Sequence, residues 1–102
     1  MGSSKTYQYS VNQNNFARIA KAVGHPARVA IIQNLSRYGC LTNMQIMEIT
    51  RLTDGTISQH LKELVYAGLL TEVYIDKHVY VLTECAEKEV RDLQLLFTGE
   101  ID

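Results

Sequence analysis

The stretch Thr53 to Gly68 is satisfied only as a helix lying on a core with one polar side left open, and that requirement limits what the rest of the chain can build. Thr53 supplies a hydroxyl to cap free N–H groups, Asp54 suits the positive end of the helix dipole, and Gly68 offers the left-handed residue on which a helix ends. Ile57, Leu61 and Leu64 recur at helical spacing, with Val65 at the edge of the stripe, so one face is directed at a core. Gly55, Thr56, Ser58, Gln59 and Lys62 are left looking outward. Small hydrogen-bonding side chains at the front of an exposed helix are what a DNA major groove admits, because bulk there holds the helix away from the base edges. His60 reads as a buried or half-buried hydrogen-bonded residue and not as a base reader.

The residues just upstream complete a motif. Thr42 and Gln45 have the spacing of a capping box ahead of Ile46, Met47 and Ile49, which predicts a short helix. Thr50-Arg51-Leu52 then joins two helices by a tight turn with Leu52 plugging the corner, the helix-turn-helix arrangement. Such a turn calls for a left-handed residue, and Arg51 is the expected occupant at a cost of roughly 1 kcal/mol.

Around this motif the other elements follow from spacing. Residues 1–15 are polar and read as a flexible N-terminal tail, although Tyr7, Tyr9 and Val11 alternate and offer themselves to a neighbour. Phe16, Ile19, Ala20 and Val23 give an amphipathic helix stopping at Gly24. His25-Pro26 starts a second helix that reaches about Tyr38, with Val29, Ile32 and Leu35 inward, Arg28 and Arg37 solvated, and Gly39 ending it. After Gly68, Glu72 to Ile75 and Val79 to Leu82 flank a polar turn at Asp76-Lys77-His78, which reads as a β-hairpin. Thr83 caps a last helix with Glu84 and Glu87 in its first turn, and its stripe of Ala86, Val90, Leu93, Leu96 and Phe97 is too apolar to stand alone. The fold class is therefore mostly α with a small β-hairpin, a winged helix-turn-helix of order α-α-α-α-β-β-α occupying residues 16–99. A chain of 102 residues gains only marginal stability from its own burial, so a buried partner for the first and last helices is expected.

Charge and cysteine content narrow the function. The net charge of −1 argues mildly against nucleic acid, yet the distribution is uneven. Met1 to Met47 holds Lys5, Arg18, Lys21, Arg28 and Arg37 with no acid, whereas all 11 acidic residues follow. No run of about 18 apolar residues is present and the N-terminus lacks a secretory apolar core, so no membrane contact and a cytoplasmic location are expected. A nucleophile elbow, a phosphate-cradling glycine loop and paired carboxylates are all missing from the sequence, so neither an enzyme nor a cofactor is expected.

At this point the residues resemble those of the ArsR/SmtB family of bacterial winged-helix repressors, from about Phe16 to Phe97. Ala20 to Arg28 is similar to the family's A-L-x-x-P-x-R opening of the second helix. Leu52 to Leu64 is close to its L-S-x-x-T-V-S-x-H-L-x-x-L, and Ala67-Gly68-Leu69-Leu70 matches the approach to the wing. The resemblance implies a homodimer, paired through the first and last helices, that represses by binding a palindromic operator of double-stranded DNA. Phe16, Ile19, Val90, Leu93 and Phe97 are the dimer-interface candidates. Thr53, Thr56, Ser58 and Gln59 are candidates for base edges or the helix front, Gln59 being able to engage adenine with two hydrogen bonds. Arg51, Lys62, Lys77 and His78 are candidates for phosphates.

The family's sensing sites transfer poorly. Met44 to Ile49, where many relatives carry a thiolate pair, has none, and His25, His60 and His78 lie on different elements, so no metal site is expected. Some relatives sense oxidants or persulfides with two cysteines, which makes Cys40 and Cys85 redox candidates, although a free cysteine is more often a small buried apolar residue and both are read first as that. The effector, the operator and the regulated genes are unnamed by the sequence. The rival reading from another class is a winged-helix module that binds protein and not DNA. It draws on the balance between Glu48 and Leu82, where five acids outnumber three bases, which weakens phosphate attraction.

Overall fold

The computed structural model describes residues 9–89 and residue 91. Its elements run α1 (Val11–Ala22), α2 (Pro26–Tyr38), β1 (Cys40–Leu41), α3 (Asn43–Thr50), α4 (Asp54–Tyr66), β2 (Leu70–Tyr74) and β3 (His78–Leu82), after which residues 84–89 are helical (α5). This is a winged helix-turn-helix, mostly helical with a small antiparallel sheet.

The first helix starts earlier than the polar composition of residues 1–15 suggests. Ser10 accepts from the Gln13 amide at 3.0 Å, and the Gln13 side chain accepts from the Ser10 amide at 3.0 Å. This capping box satisfies two N–H groups at once and makes Val11 to Asn15 helical, which corrects the expectation of a tail reaching residue 15. Residues 1–8 lie outside the described part. Of the expected apolar stripe, Ile19 is buried together with Ala22, whereas Phe16 is 45% exposed. Ile19 packs into the core of its own chain, so it is spent there and is withdrawn as a dimer-interface residue.

In α2 the proline stands at the first position as expected, the His25 side chain caps the helix, and Gly39, at φ 89°, ends it. The buried set is Ile31, Ile32 and Leu35, while Val29 is exposed; the inward face is rotated by part of a turn from the expected one. Arg28 is not solvated either but half-buried and hydrogen-bonded.

The sheet has three strands in the order β1-β3-β2, so the wing is more than a hairpin. Cys40 pairs with Val81 and Leu41 with Tyr80, while β2 and β3 pair from Leu70 with Leu82 to Tyr74 with His78. The second strand of the hairpin thus begins at His78, and the turn is residues 75–77. β1 pins the base of the wing to the α2–α3 corner. At the far end Thr83 Oγ1 donates to the Gly68 carbonyl at 2.8 Å and accepts from the Ala86 amide at 3.1 Å, joining the foot of the wing to the start of α5. The core gathers Ile31, Leu35, Ile46, Ile57, Leu64 and Leu70, contributed by α2, α3, α4 and β2. No helix among the described residues is long and apolar enough to cross a membrane.

Candidate nucleic-acid interface

The turn ahead of α4 is built as its sequence dictates. Arg51 takes the left-handed conformation, φ 61° and ψ 25°, and its amide donates to the Met47 carbonyl at 2.8 Å, ending α3. Thr50 Oγ1 donates to Ile46 O at 2.8 Å and accepts from the Leu52 amide at 3.3 Å, so one hydroxyl helps to hold the corner. Thr53 then caps α4, accepting from the Thr56 amide at 3.4 Å and donating its own proton to Thr56 Oγ1 at 3.1 Å. Asn43 Nδ2 donates to Asp54 Oδ1 at 2.5 Å, which ties the start of α3 to the start of α4 and satisfies an acid on the candidate surface.

The helix is two-faced. Ile57, Leu61 and Leu64 are buried, and Gly55, Thr56, Ser58, Gln59 and Lys62 are exposed. A side chain at Gly55 would meet nothing within 4 Å, so the front of the helix is open as well as bare. Ser58, Gln59, Lys62, Glu63, Tyr66, Glu72 and Tyr80 line a cleft of about 700 Å³ between α4 and the wing. Gln59 Nε2 donates to Glu63 Oε2 at 3.4 Å, one turn further along the helix. Burial, then the nearby carboxylates of Glu72 and Asp54, push the Tyr80 hydroxyl above its ordinary pKa, so it stays a neutral donor.

On the wing, Lys77 is exposed at the turn. His78 is exposed too, but its Nε2 lies 2.7 Å from Glu72 Oε1, and its ring stacks on Tyr74 at 6.3 Å and meets Tyr80 edge-on at 5.2 Å. A phosphate approaching His78 therefore competes with a carboxylate already there.

Behind α4, His60 is only 8% exposed and its Nδ1 accepts from Arg28 Nε at 3.0 Å. The His25 ring lies 4.4 Å away, its own Nδ1 accepting from the Ala27 amide at 3.1 Å. Burial first, then His25 and Arg28, hold His60 below the ordinary imidazole pKa, which keeps it neutral and able to accept.

A polar-fronted helix, a capped tight turn before it and a three-stranded wing behind it together match known regulators. The profile of the bacterial regulatory protein, arsR family, covers residues 25–72, the span from the α2 cap through the turn and α4 into β2. Over those residues, a little under half of the chain, the sequence is similar to the arsR family. The segment is 38% identical over 45 residues to the transcriptional repressor PagR of Bacillus anthracis; the alignment spans 44% of this chain and 46% of PagR, so about half of each. Among solved structures, the fold is similar to HlyU from Vibrio cholerae, at 22% identity, 87% and 98% coverage of this chain and that one, and TM-score 0.74. It is also similar to a homodimeric winged helix-turn-helix domain from Mycobacterium bovis, at 21% identity, 94% and 88% coverage, and TM-score 0.75.

Within this winged-helix domain, Arg51, Thr53, Thr56, Ser58, Gln59 and Lys62 lie on the turn and the open side of α4, and Lys77 and His78 on the wing. Cys40 and Cys85 are exposed, which corrects the reading of both as buried core residues. Val90, Leu93 and Phe97 fall outside the described residues. Among the described residues no three His, Cys, Asp or Glu side chains cluster in a way that could hold a metal. Two functional candidates escaped the sequence, Arg18 and Arg28, because their partners lie 49 and 32 positions away. The Pro-x-Arg opening of α2 was the only local signal for either.

Proposed function

We propose that the chain is a cytoplasmic transcriptional repressor that binds a palindromic operator as a homodimer, with α4 in the major groove and the wing beside it. The observation that carries this reading is the division of α4 into a buried apolar face and an open front of Gly55, Thr56, Ser58, Gln59 and Lys62. A two-fold pair would set two such helices about 34 Å apart, one turn of DNA, so that both enter successive major grooves on one side of the duplex. Gln59, Thr56 and Ser58 would read base edges, with Thr53 supporting Thr56; Arg51, Lys62 and Lys77 would meet phosphates, and His78 would do so once released by Glu72. Likeness to the repressor PagR supports the sense of regulation, and the homodimeric Mycobacterium bovis domain supports the pairing. Phe16, exposed on α1, would join the C-terminal stripe of Val90, Leu93 and Phe97 at that contact. Regulation would not use the thiolate pair that many relatives carry in the third helix, since Met44 to Ile49 offers none, which leaves Cys40 and Cys85 as the thiols able to respond to oxidants.

A gel-shift titration with duplexes from the gene's own upstream region tests this reading. The expected result is saturable binding whose logarithmic affinity falls with salt on a shallow slope, because few phosphates are neutralised. The second reading, a winged-helix module for a protein partner, is favoured by the five acids against three bases between Glu48 and Leu82. Lack of binding at about 50 mM salt, where electrostatic attraction is strong, would decide for that module.

A further inference from the structure

We infer that Arg18 and Arg28 are positioning residues for DNA recognition: together they fix the pose of α4 against the first helix, so that α1 sets where the reading face points. The inference rests on the reading of the chain as a dimeric operator binder.

Three ends meet at these two side chains. Arg18, on α1, donates from Nη1 to the carbonyl of Ala67, the residue that closes α4. Arg28, at the start of α2, donates from Nη1 to the carbonyl of Ala22, the last residue of α1, at 3.1 Å and from Nε to His60 Nδ1 in α4 at 3.0 Å. Helix C-termini leave carbonyls without intrahelical partners, and a cation there also complements the dipole. The end of α4 is thus held by a residue of α1, while the end of α1 is held by a residue of α2 that also grips the middle of α4.

Among the described residues, the remaining hold of α1 on the body is slight. Ile19 and Ala22 are its buried residues, with Val23 half-buried. Apolar contact is non-directional and lets a helix slide or rotate at little cost, whereas the planar guanidinium of Arg28, bonded at two sites, fixes both distance and angle, and Arg18 adds a single tether. Phe16 and Val11 leave apolar surface on the exposed part of α1, the part a second copy would cover. Whatever orients α1 is therefore transmitted to α4 through two guanidinium groups. Neither group lies on the polar front of the helix.

The test uses the full chain with Arg18→Ala, Arg18→Lys and Arg28→Lys, and duplexes whose half-sites are moved one or two base pairs closer or further apart. Wild type should prefer one spacing. The alanine variant and Arg28→Lys should bind the best spacing about tenfold more weakly, the worth of a charge-assisted hydrogen bond, while binding at the wrong spacings changes little. Arg18→Lys, able to donate to the same carbonyl, should restore part of the preference. Amide hydrogen exchange on the DNA-free protein should show lost protection confined to residues 54–68. Equal weakening at every spacing, or unchanged exchange in α4, overturns the coupling. If wild type binds no duplex, operator recognition is refuted on its own and the exchange experiment still decides whether Arg18 and Arg28 hold α4. Should Arg28→Lys fail to fold, Arg18→Ala decides the matter.

Discussion

Arg51 separates stability from binding at a single position. It holds φ 61° in the turn between α3 and α4, a conformation in which Cβ crowds the following carbonyl and costs an L-residue about 1–2 kcal/mol. Arg51→Gly removes that crowding but gives the unfolded chain more freedom, which takes back about 0.4–1 kcal/mol. At mid-range the net expectation is a gain of about 0.8 kcal/mol, and at about 4–8 °C per kcal/mol for a domain of this size the melting temperature rises by about 3–6 °C. The exposed guanidinium is lost at the same time, and with it one phosphate contact in the proposed complex. The dependence of log affinity on log salt should therefore flatten by about 1 per protomer. Arg51→Ala separates the two effects, since alanine at the same φ keeps the strain and loses only the charge. Calorimetry on both variants beside salt titrations of DNA binding makes the measurement. If Gly and Ala melt at the same temperature, the claim of relieved strain fails; an unchanged salt slope in both removes Arg51 from the phosphate set.

Other expectations follow from the same geometry. Gln59→Ala should relax the choice at one base pair of each half-site by about 1–3 kcal/mol, read by competition among singly substituted duplexes; an unchanged preference takes Gln59 out of the reading set. Thr53→Ala removes the cap of α4 and the partner of the Thr56 hydroxyl, and should lower stability by about 1 kcal/mol in urea titration, a neutral result arguing that another group caps the helix. His60 binds its proton less readily folded than unfolded, so its contribution is complete above pH of about 6.5 and declines as pH falls below that value. His60→Asn should flatten this acid limb in urea midpoints measured from pH 7 to 5. An identical limb in the variant would falsify the assignment.

Features set by neighbours along the chain were legible in the sequence. The Thr42–Gln45 box, the left-handed Arg51, the Thr53 cap and the Ile57–Leu61–Leu64 stripe all stand where their spacing puts them. The Ser10–Gln13 box was equally local, but an Asn/Gln-rich run hid it among residues that discourage a helix reading. β1 is only two residues, too short to show alternation, and owes its existence to β3 some forty positions later. The inward rotation of α2 depends on what lies beneath it, which is why Ile31 and not Val29 is covered. Of the candidate site, the exposed front of α4 could be read from periodicity alone. The contact of His78 with Glu72 needs the register of the wing, and those of Arg18 and Arg28 need the packing of helices remote in sequence.

Thr83 joins the foot of the wing to the start of the helix that follows. Its oxygen both closes the span from Gly68 to Thr83 into a loop and starts the helix that follows. Pulling or turning that helix at its origin strains the bond at the neck of the loop, so the disturbance enters the wing from its root and leaves the tip to follow as a lever. A small tilt below would then sweep the turn at residues 75–77, Lys77 included, through a longer arc than the base of the strands.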